Sequence, residues 1–180
     1  MFIANTLRNK NRAEYLLYMW QVEDIIRANN CDIDTLKTNY LSRFEVSDEQ
    51  RRALEQWYTD LIEMMHAEGV TEKGHLQINK NVIASLTELH VRLLNSSAFP
   101  YYKSAYYKAL PYIVEIRNRG DKEATELENC FDMLYGVMLL RLQKKAVSKD
   151  TETAVKDVTT FLGMLSDYYL KDKETPLESD

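Results

Sequence analysis

The stretch Leu127–Leu142 reads Leu-Glu-Asn-Cys-Phe-Asp-Met-Leu-Tyr-Gly-Val-Met-Leu-Leu-Arg-Leu and is the most apolar segment of the chain. Apolar residues recur in it at spacings of three and four, and three more widen the stripe beyond one helix face. The recurring residues are Leu127, Phe131, Leu134, Met138 and Leu142, and the widening ones are Cys130, Val137 and Leu140. A helix that is apolar around most of its circumference is normally covered on several sides. We therefore predict that this segment is the central helix of an all-α domain.

Two glycines lie inside predicted helices, Gly136 in this segment and Gly163 within Phe161–Leu165. Glycine in a helix interior costs about 1 kcal/mol relative to alanine. That cost is often accepted where another backbone comes close. The link Ala146–Asp150 is short and polar, so the two helices should be antiparallel neighbours. We predict that the helices cross closely at these two glycines.

The rest of the chain predicts further helices and no sheet. Ser47-Asp48-Glu49-Gln50 is a capping box that begins one helix, and Pro100 suits the first turn of another. Five glycines and three prolines leave few turns for a many-stranded protein. We predict an irregular single-domain bundle of six or seven helices over residues 1–180, in which 171–180 is a flexible polar tail.

Composition and charge exclude several classes of protein. The chain is 45% hydrophobic and 28% charged with a net charge of −5, which argues against a nucleic-acid coat protein. The longest uncharged apolar run, Met133–Leu140, falls far short of the roughly 20 residues that cross a bilayer. The first eight residues do not form a secretory signal. Cys31 and Cys130 have no metal-binding spacing. We expect a soluble cytoplasmic protein that does not associate with membranes.

The first strong helix carries two recognisable sequence words, Glu14-Tyr15-Leu16-Leu17-Tyr18-Met19-Trp20-Gln21 and Glu23-Asp24-Ile25-Ile26-Arg27. With the chain length and the tyrosine-rich middle, they resemble an uncharacterised bacterial family of all-helical proteins known as a domain of unknown function. The resemblance extends over the whole chain. It implies a compact, single-domain helical fold and implies no reaction.

Glu23 lies on the apolar side of this helix, opposite Glu14 on a helical wheel. Its neighbours on that side are Leu16, Met19 and Ile26. A carboxylate in such surroundings is costly unless it is paired. Arg27 is one turn further on, and Arg12 lies on a similar side. We favour a buried network of Glu23 with Arg27 or a tyrosine that fixes helix register; the alternative is a ligand site with a cavity beside Glu23.

A second candidate group centres on His90, which follows Ile83 and Leu86 on one apolar stripe. We interpret His90 as a hydrogen-bonded core residue, and a role as a ligand-binding residue is the alternative. Together with two tyrosines of the next helix it completes the candidate ligand-binding set. That set is Glu23, Arg27, His90, Tyr102 and Tyr106.

The segment from Tyr101 to Tyr112 interleaves aromatic residues with Lys103 and Lys108. Such a pattern can stack bases and hold the phosphates of a single strand. We prefer the interpretation that Tyr102, Tyr106 and Ile113 face the core while the lysines stay in water, because the chain is acidic. We therefore expect no nucleic-acid partner.

Two patterns that could hold metal ions are weak. Glu63-Met64-Met65-His66 and Glu72-Lys73-Gly74-His75 share the Glu-x-x-His spacing of di-iron bundles, but such bundles need these words on separate helices. We interpret them as solvated charges around a helix end. The acidic cluster of Glu123, Glu126, Glu128 and Asp132 is equally expected at a helix N-terminus. The sequence predicts no metal, no cofactor and no catalytic residue.

The leading functional interpretation is a non-enzymatic interaction or scaffold protein that forms a homodimer or binds a protein partner. Its surplus of aromatic residues would line the partner groove, since tyrosine and tryptophan give large contact areas. The alternative is a small-molecule-binding or hydrolytic helical protein with a pocket near Glu23, His90 and the tyrosines. A deep cavity with convergent Glu, His and Arg side chains would favour this alternative.

Overall fold

A computed structural model describes residues 1–119 and 124–177, and within them the chain forms eight α-helices and no β-strand. The helices are α1 Phe2–Lys10, α2 Arg12–Ala28, α3 Ile33–Asn39, α4 Asp48–Ala67, α5 Gln77–Asn95, α6 Pro100–Arg119, α7 Glu126–Leu142 and α8 Lys149–Glu174, with a 3-10 turn at Leu41–Arg43. The predicted single all-α domain is confirmed. The count of eight exceeds the predicted six or seven.

Side-chain caps set several of the helix boundaries. The side chain of Asn11 accepts hydrogen bonds from the backbone N–H groups of Ala13 and Glu14, and this starts α2. Ser47 and Gln50 form the predicted capping box at α4. These caps satisfy backbone donors that a helix cannot satisfy itself, and so they fix where each helix begins.

Helix α2 lies between two hydrophobic clusters. Leu16 and Trp20 pack into a first cluster with residues of α5, α6, α7 and α8. Met19, Val22 and Ile26 pack into a second cluster with residues of α1, α3, α4 and the segment that ends at Leu76. α2 is thus the element that the two clusters share, a role that the sequence had suggested for α7.

The predicted central position of α7 holds for only half of that helix. Its N-terminal half is buried, and α7 contacts α2, α5, α6 and α8. Towards its C-terminus, however, Met138, Leu139 and Leu140 are only partly buried, and Leu142 is 61% exposed. An apolar stripe at the end of α7 therefore stays uncovered by the described part of the chain.

Helices α6 and α8 run antiparallel. Phe99, just before α6, has its ring centroid 5.2 Å from that of Tyr168, while Lys108 pairs with Asp157 at 2.8 Å. α8 continues to Glu174, so the first residues of the predicted tail are helical. That the tail is flexible stays a prediction, and residues 178–180 lie outside the described residues.

The predicted close crossing at Gly136 and Gly163 is wrong. Helices α7 and α8 do contact each other. However, among the described residues, no neighbouring side chain or backbone of another element comes within 4 Å of the place where a Cβ would stand at either glycine. The sequence shows that a glycine lies inside a helix, where it lowers helix stability, but it does not show which residues of other helices face that glycine. A Cβ can therefore be added at either position without steric conflict.

None of the helices in the described part of the chain combines the length and the apolar character that crossing a bilayer requires.

Candidate functional site

Glu23 is completely buried. Its carboxylate accepts three hydrogen bonds from residues 75–79, at the start of α5. Oε2 lies 2.6 Å from Nδ1 of His75. Oε1 accepts from the backbone N–H of Leu76 at 3.0 Å and from the side-chain amide of Asn79 at 2.6 Å. Buried carboxylates persist when such donors replace water. Both oxygens are engaged by protein groups, which favours a structural role for Glu23.

The ring of His75 stacks on Trp20, with centroids 4.0 Å apart and planes 12° from parallel. The preceding Gly74 has φ of +85°, a conformation that glycine adopts readily and that turns the chain back towards α2. His75 was predicted to be a solvated charge, and this was wrong, because its ring closes over Trp20. The stack and the hydrogen bond to Glu23 together hold the segment between α4 and α5 against α2.

Arg27 is not the partner of Glu23. Its guanidinium donates to Asp24 at 2.9 Å and to the backbone carbonyls of Val70, at 3.1 Å, and Gly74. Asp24 also accepts a hydrogen bond from the hydroxyl of Tyr135 at 2.6 Å. The predicted partners of Glu23, Arg27 or a tyrosine, were therefore wrong; its partners are His75, Leu76 and Asn79. Arg27 and Glu23 clamp the same segment from α2 without touching each other.

We predict that Glu23→Ala lowers the free energy of unfolding by about 3 kcal/mol, since it leaves buried donors of Leu76 and Asn79 unpaired. Urea unfolding monitored by circular dichroism measures the change. The matched control is Glu63→Ala, at an exposed glutamate of α4, which should stay within about 0.5 kcal/mol of the wild type. Equal effects of the two substitutions would refute the structural role of Glu23.

His90 forms a second, separate cluster with the tyrosines of α6. Its Nδ1 lies 2.6 Å from the hydroxyl of Tyr102. Its ring meets those of Tyr106 and Phe161 edge-on, with centroids 5.0 and 5.4 Å away. Nε2 points towards Oε1 of Glu126 at 3.9 Å. Three of the five predicted ligand-binding residues, His90, Tyr102 and Tyr106, are thus brought together.

Burial keeps this cluster uncharged apart from its carboxylate. It lowers the pKa of His90 to about 4. Burial, followed by the negative charge of Glu126, raises the pKa of Tyr106 to about 12. Burial likewise raises the pKa of Tyr102. At neutral pH the three side chains are therefore neutral, which suits hydrogen bonding and does not suit electrostatic attraction of an anion.

A cleft of about 300 Å³ opens beside this cluster. It is lined by Thr87, His90, Val91, Leu94, Asn95, Tyr106, Glu126 and Leu127. Within the described chain, Oε1 of Glu126 is buried and accepts no hydrogen bond. Glu23 and Arg27 lie elsewhere. Asn79, which binds Glu23, precedes His90 by eleven positions on α5, or about 16 Å along the helix. The predicted five-residue site is therefore two sites.

We predict that the His90 imidazole makes stability depend on pH. The unfolded chain binds its proton near pH 6.5 and the native chain near pH 4, so stability falls as pH drops through that window. The loss reaches about 3 kcal/mol at pH 4. Urea unfolding of His90→Gln between pH 7.5 and 4.5 should show a shallower decline. His66→Gln, at an exposed histidine, should retain the wild-type slope; a wild-type slope in His90→Gln would contradict the prediction.

A groove of about 420 Å³ runs between α2, α7 and α8, and we call it the α2–α7–α8 groove. It is lined by Asn11, Ala13, Glu14, Leu17, Leu134, Val137, Met138, Arg141, Leu142, Val155, Thr159, Leu162 and Gly163. The uncovered stripe of α7 forms one wall. Glu14 and Arg141 are the charged residues of its lining. Sequence analysis missed this groove, although the apolar excess of Leu127–Leu142 was a sign of it.

Part of the tyrosine segment faces the core. Tyr102, Tyr106 and Ile113 are buried, as the preferred interpretation predicted. Lys108 is exposed, and its ammonium group pairs with the buried carboxylate of Asp157 at 2.8 Å. Tyr101 and Tyr107, by contrast, are exposed at the surface. That no nucleic acid binds this segment stays a prediction.

Within residues 1–119 and 124–177, no group of three or more His, Cys, Asp or Glu side chains is placed to hold a metal ion. One residue of the acidic cluster at α7 caps the helix. Glu128 forms a capping box with Thr125, and Glu123 lies outside the described residues. His66 meets the backbone carbonyl of Cys31 at 3.2 Å.

The family model described as "Domain of unknown function (DUF4924)" matches residues 1–176 of the chain. No curated protein and no solved structure gave a significant match.

Proposed function

We propose that this chain, which belongs to the family described as a domain of unknown function (DUF4924), is a non-enzymatic interaction protein. It forms a homodimer through the α2–α7–α8 groove. The observation that carries this proposal is the uncovered apolar stripe of α7. Leu142 at its end is 61% exposed in the single chain.

The groove has the chemistry of an interface core. Most of its lining is aliphatic, with Leu17, Met138 and Leu162 coming from three different helices. Contiguous apolar surface of this kind commonly marks a contact with another protein. Covering it would remove apolar surface from water, which is the main favourable term in association. α7 would then be covered along its whole length, as its sequence predicts.

The charges of the groove favour a second copy of the same chain as the occupant. In a two-fold contact the same patch serves both subunits, so each charge must find its opposite in that patch. Glu14 from α2 and Arg141 from α7 meet this condition, since each can pair with its counterpart across the axis. Among the residues that the structure describes, Arg141 pairs only with the exposed Glu152, at 3.6 Å, and such a loose surface pair is readily exchanged.

We further propose that the protein acts in the bacterial cytoplasm. The resemblance of the α2 sequence to a bacterial family supports the source. Cys31 and Cys130 are both buried free thiols, which suits a reducing compartment.

A pair of glycine variants tests the dimer. Gly163 lines the groove and Gly136 does not, yet both sit in helices with open space for a side chain. We predict that Gly163→Leu fills the groove and shifts the protein towards monomer, while Gly136→Leu remains dimeric. Light scattering coupled to size-exclusion chromatography measures the mass. Both substitutions remove a helical glycine, so both variants should keep the helical content of the wild type in circular dichroism.

A monomeric wild type at tens of micromolar would refute the proposal. Equal dissociation of the two variants would also refute it, because the effect would then not depend on the groove. A dimer that only Gly163→Leu disrupts would support it.

The second candidate function is small-molecule binding in the cleft beside His90. The observation that favours it is the buried Oε1 of Glu126, which lies 3.9 Å from Nε2 of His90 and accepts no short hydrogen bond within the described chain. A ligand with a donor group could satisfy it. Tyr106 and Thr87 line the same cleft and could orient such a ligand. Glu23 and Arg27 have no part in this second candidate. A monomeric wild type would make it the leading one.

A further inference from the structure

Arg12, the first residue of α2, is a buried cation without a carboxylate partner. Only 7% of its surface is exposed. No carboxylate oxygen in the described part of the chain lies within 4.0 Å of its guanidinium. Its Nε is buried and makes no hydrogen bond among those residues. Arginine is seldom this buried unless it is paired.

The surroundings of Arg12 compensate for its charge only in part. The rings of Tyr15 and Tyr169 lie 5.5 and 5.1 Å from its guanidinium carbon, close enough for cation–π attraction. Nη2 donates a long hydrogen bond of 3.5 Å to the hydroxyl of Tyr169. The position at the start of α2 adds the positive end of the helix dipole, which disfavours a cation. An anion is the group that this arrangement lacks.

A cleft of about 250 Å³ lies against Arg12, between α1, α2, α5 and α8. We call it the Arg12 cleft. It is lined by Arg8, Arg12, Tyr15, Ile78, Asn81, Val82, Ser85 and Tyr169. This lining contains two arginines and no acidic residue, although the chain as a whole carries a net charge of −5. The cleft therefore concentrates positive charge on an acidic protein.

Several donors remain free to face a ligand in this cleft. The side-chain oxygen of Asn81 accepts from Gln77 at 2.9 Å, which leaves its amide nitrogen as a donor. The oxygen of Tyr169 accepts from Arg12, so its own O–H is still available. Arg8 is exposed and adds a second guanidinium. Together with Arg12 of α2, these groups come from four different helices and line the same cleft.

We propose that the Arg12 cleft binds a phosphate-type oxyanion. Arg12 supplies a buried positive charge at the wall of the cleft, and Arg8 adds a second one from α1. Two guanidiniums match the double charge of a phosphate or phosphomonoester, and their planar forks suit its oxygens. Asn81 and Tyr169 donate to the remaining oxygens. A carboxylate would leave one of the two cations and several donors unmatched.

Isothermal titration of the full chain tests this proposal, with inorganic phosphate and phenyl phosphate as ligands and acetate as the comparison, all at constant ionic strength. We expect saturable binding of phosphate-type ions and much weaker binding of acetate. Stronger binding of phenyl phosphate would identify an ester as the natural form, and equal or weaker binding would identify free phosphate. The absence of saturable binding of both phosphate-type ions would overturn the proposal.

Charge-neutral variants locate the site. Arg8→Gln should weaken phosphate binding roughly tenfold, since it removes one charge-assisted contact at an exposed position. Lys10→Gln removes a neighbouring exposed charge on α1 that does not line the cleft, and it should bind as the wild type does. Arg12→Met, which keeps the length of the side chain without its charge, should abolish binding.

Should Arg12→Met fail to fold, the comparison of Arg8→Gln with Lys10→Gln still decides. Equal losses in those two variants would show a nonspecific effect of charge and overturn the assignment. A loss confined to Arg8→Gln supports it.

Discussion

The carboxylate of Glu23 is the joint on which this fold depends. It is fully buried on α2, yet it accepts hydrogen bonds from His75, Leu76 and Asn79, which lie more than fifty positions further along the chain. The segment between α4 and α5 is thereby held against α2. Because α2 also contributes residues to both hydrophobic clusters, this joint fixes how one half of the protein sits on the other. A buried charge suits such a role because it tolerates few alternative arrangements of its donors.

Local spacing predicted the helices well, because capping and apolar periodicity are properties of neighbouring residues. The box at Ser47, the buried faces of α5 and α6 and the burial of Glu23 all follow from it. The partners of Glu23 did not, since they depend on how the chain folds back after Gly74. The prediction of a close helix crossing at Gly136 and Gly163 was wrong for a related reason. A glycine in a helical pattern shows that the residue is small, but it does not show which element lies opposite it. The helical position of Arg12 suggested that its side chain lies near Glu23. Its guanidinium lies instead against the ring of Tyr169 on α8, and its backbone N–H donates to Ser166 of the same helix.

The two surfaces for which we propose functions are built partly from the same two helices. Both the α2–α7–α8 groove and the Arg12 cleft use the first turns of α2 and part of α8. The apolar residues of those turns face the groove, and Arg12 and Tyr15 face the cleft. The excess of apolar residues in α7 shows that this helix needs cover, and the sequence could not show whether the cover belongs to the same chain. The folded chain leaves that half of α7 open, which is why we propose that a second copy of the chain covers it.

The account rests on α2 joining both clusters into one cooperative unit. Native-state hydrogen exchange, followed residue by residue at increasing urea, measures this directly. Amides of Leu61 and Met65 in α4 report on the second cluster, and those of Phe161 and Leu165 in α8 report on the first. The account predicts that both sets exchange through the same global unfolding, with equal opening free energies. If the amides of α4 instead open at a distinctly lower free energy than those of α8, the two clusters fold independently and the account is contradicted.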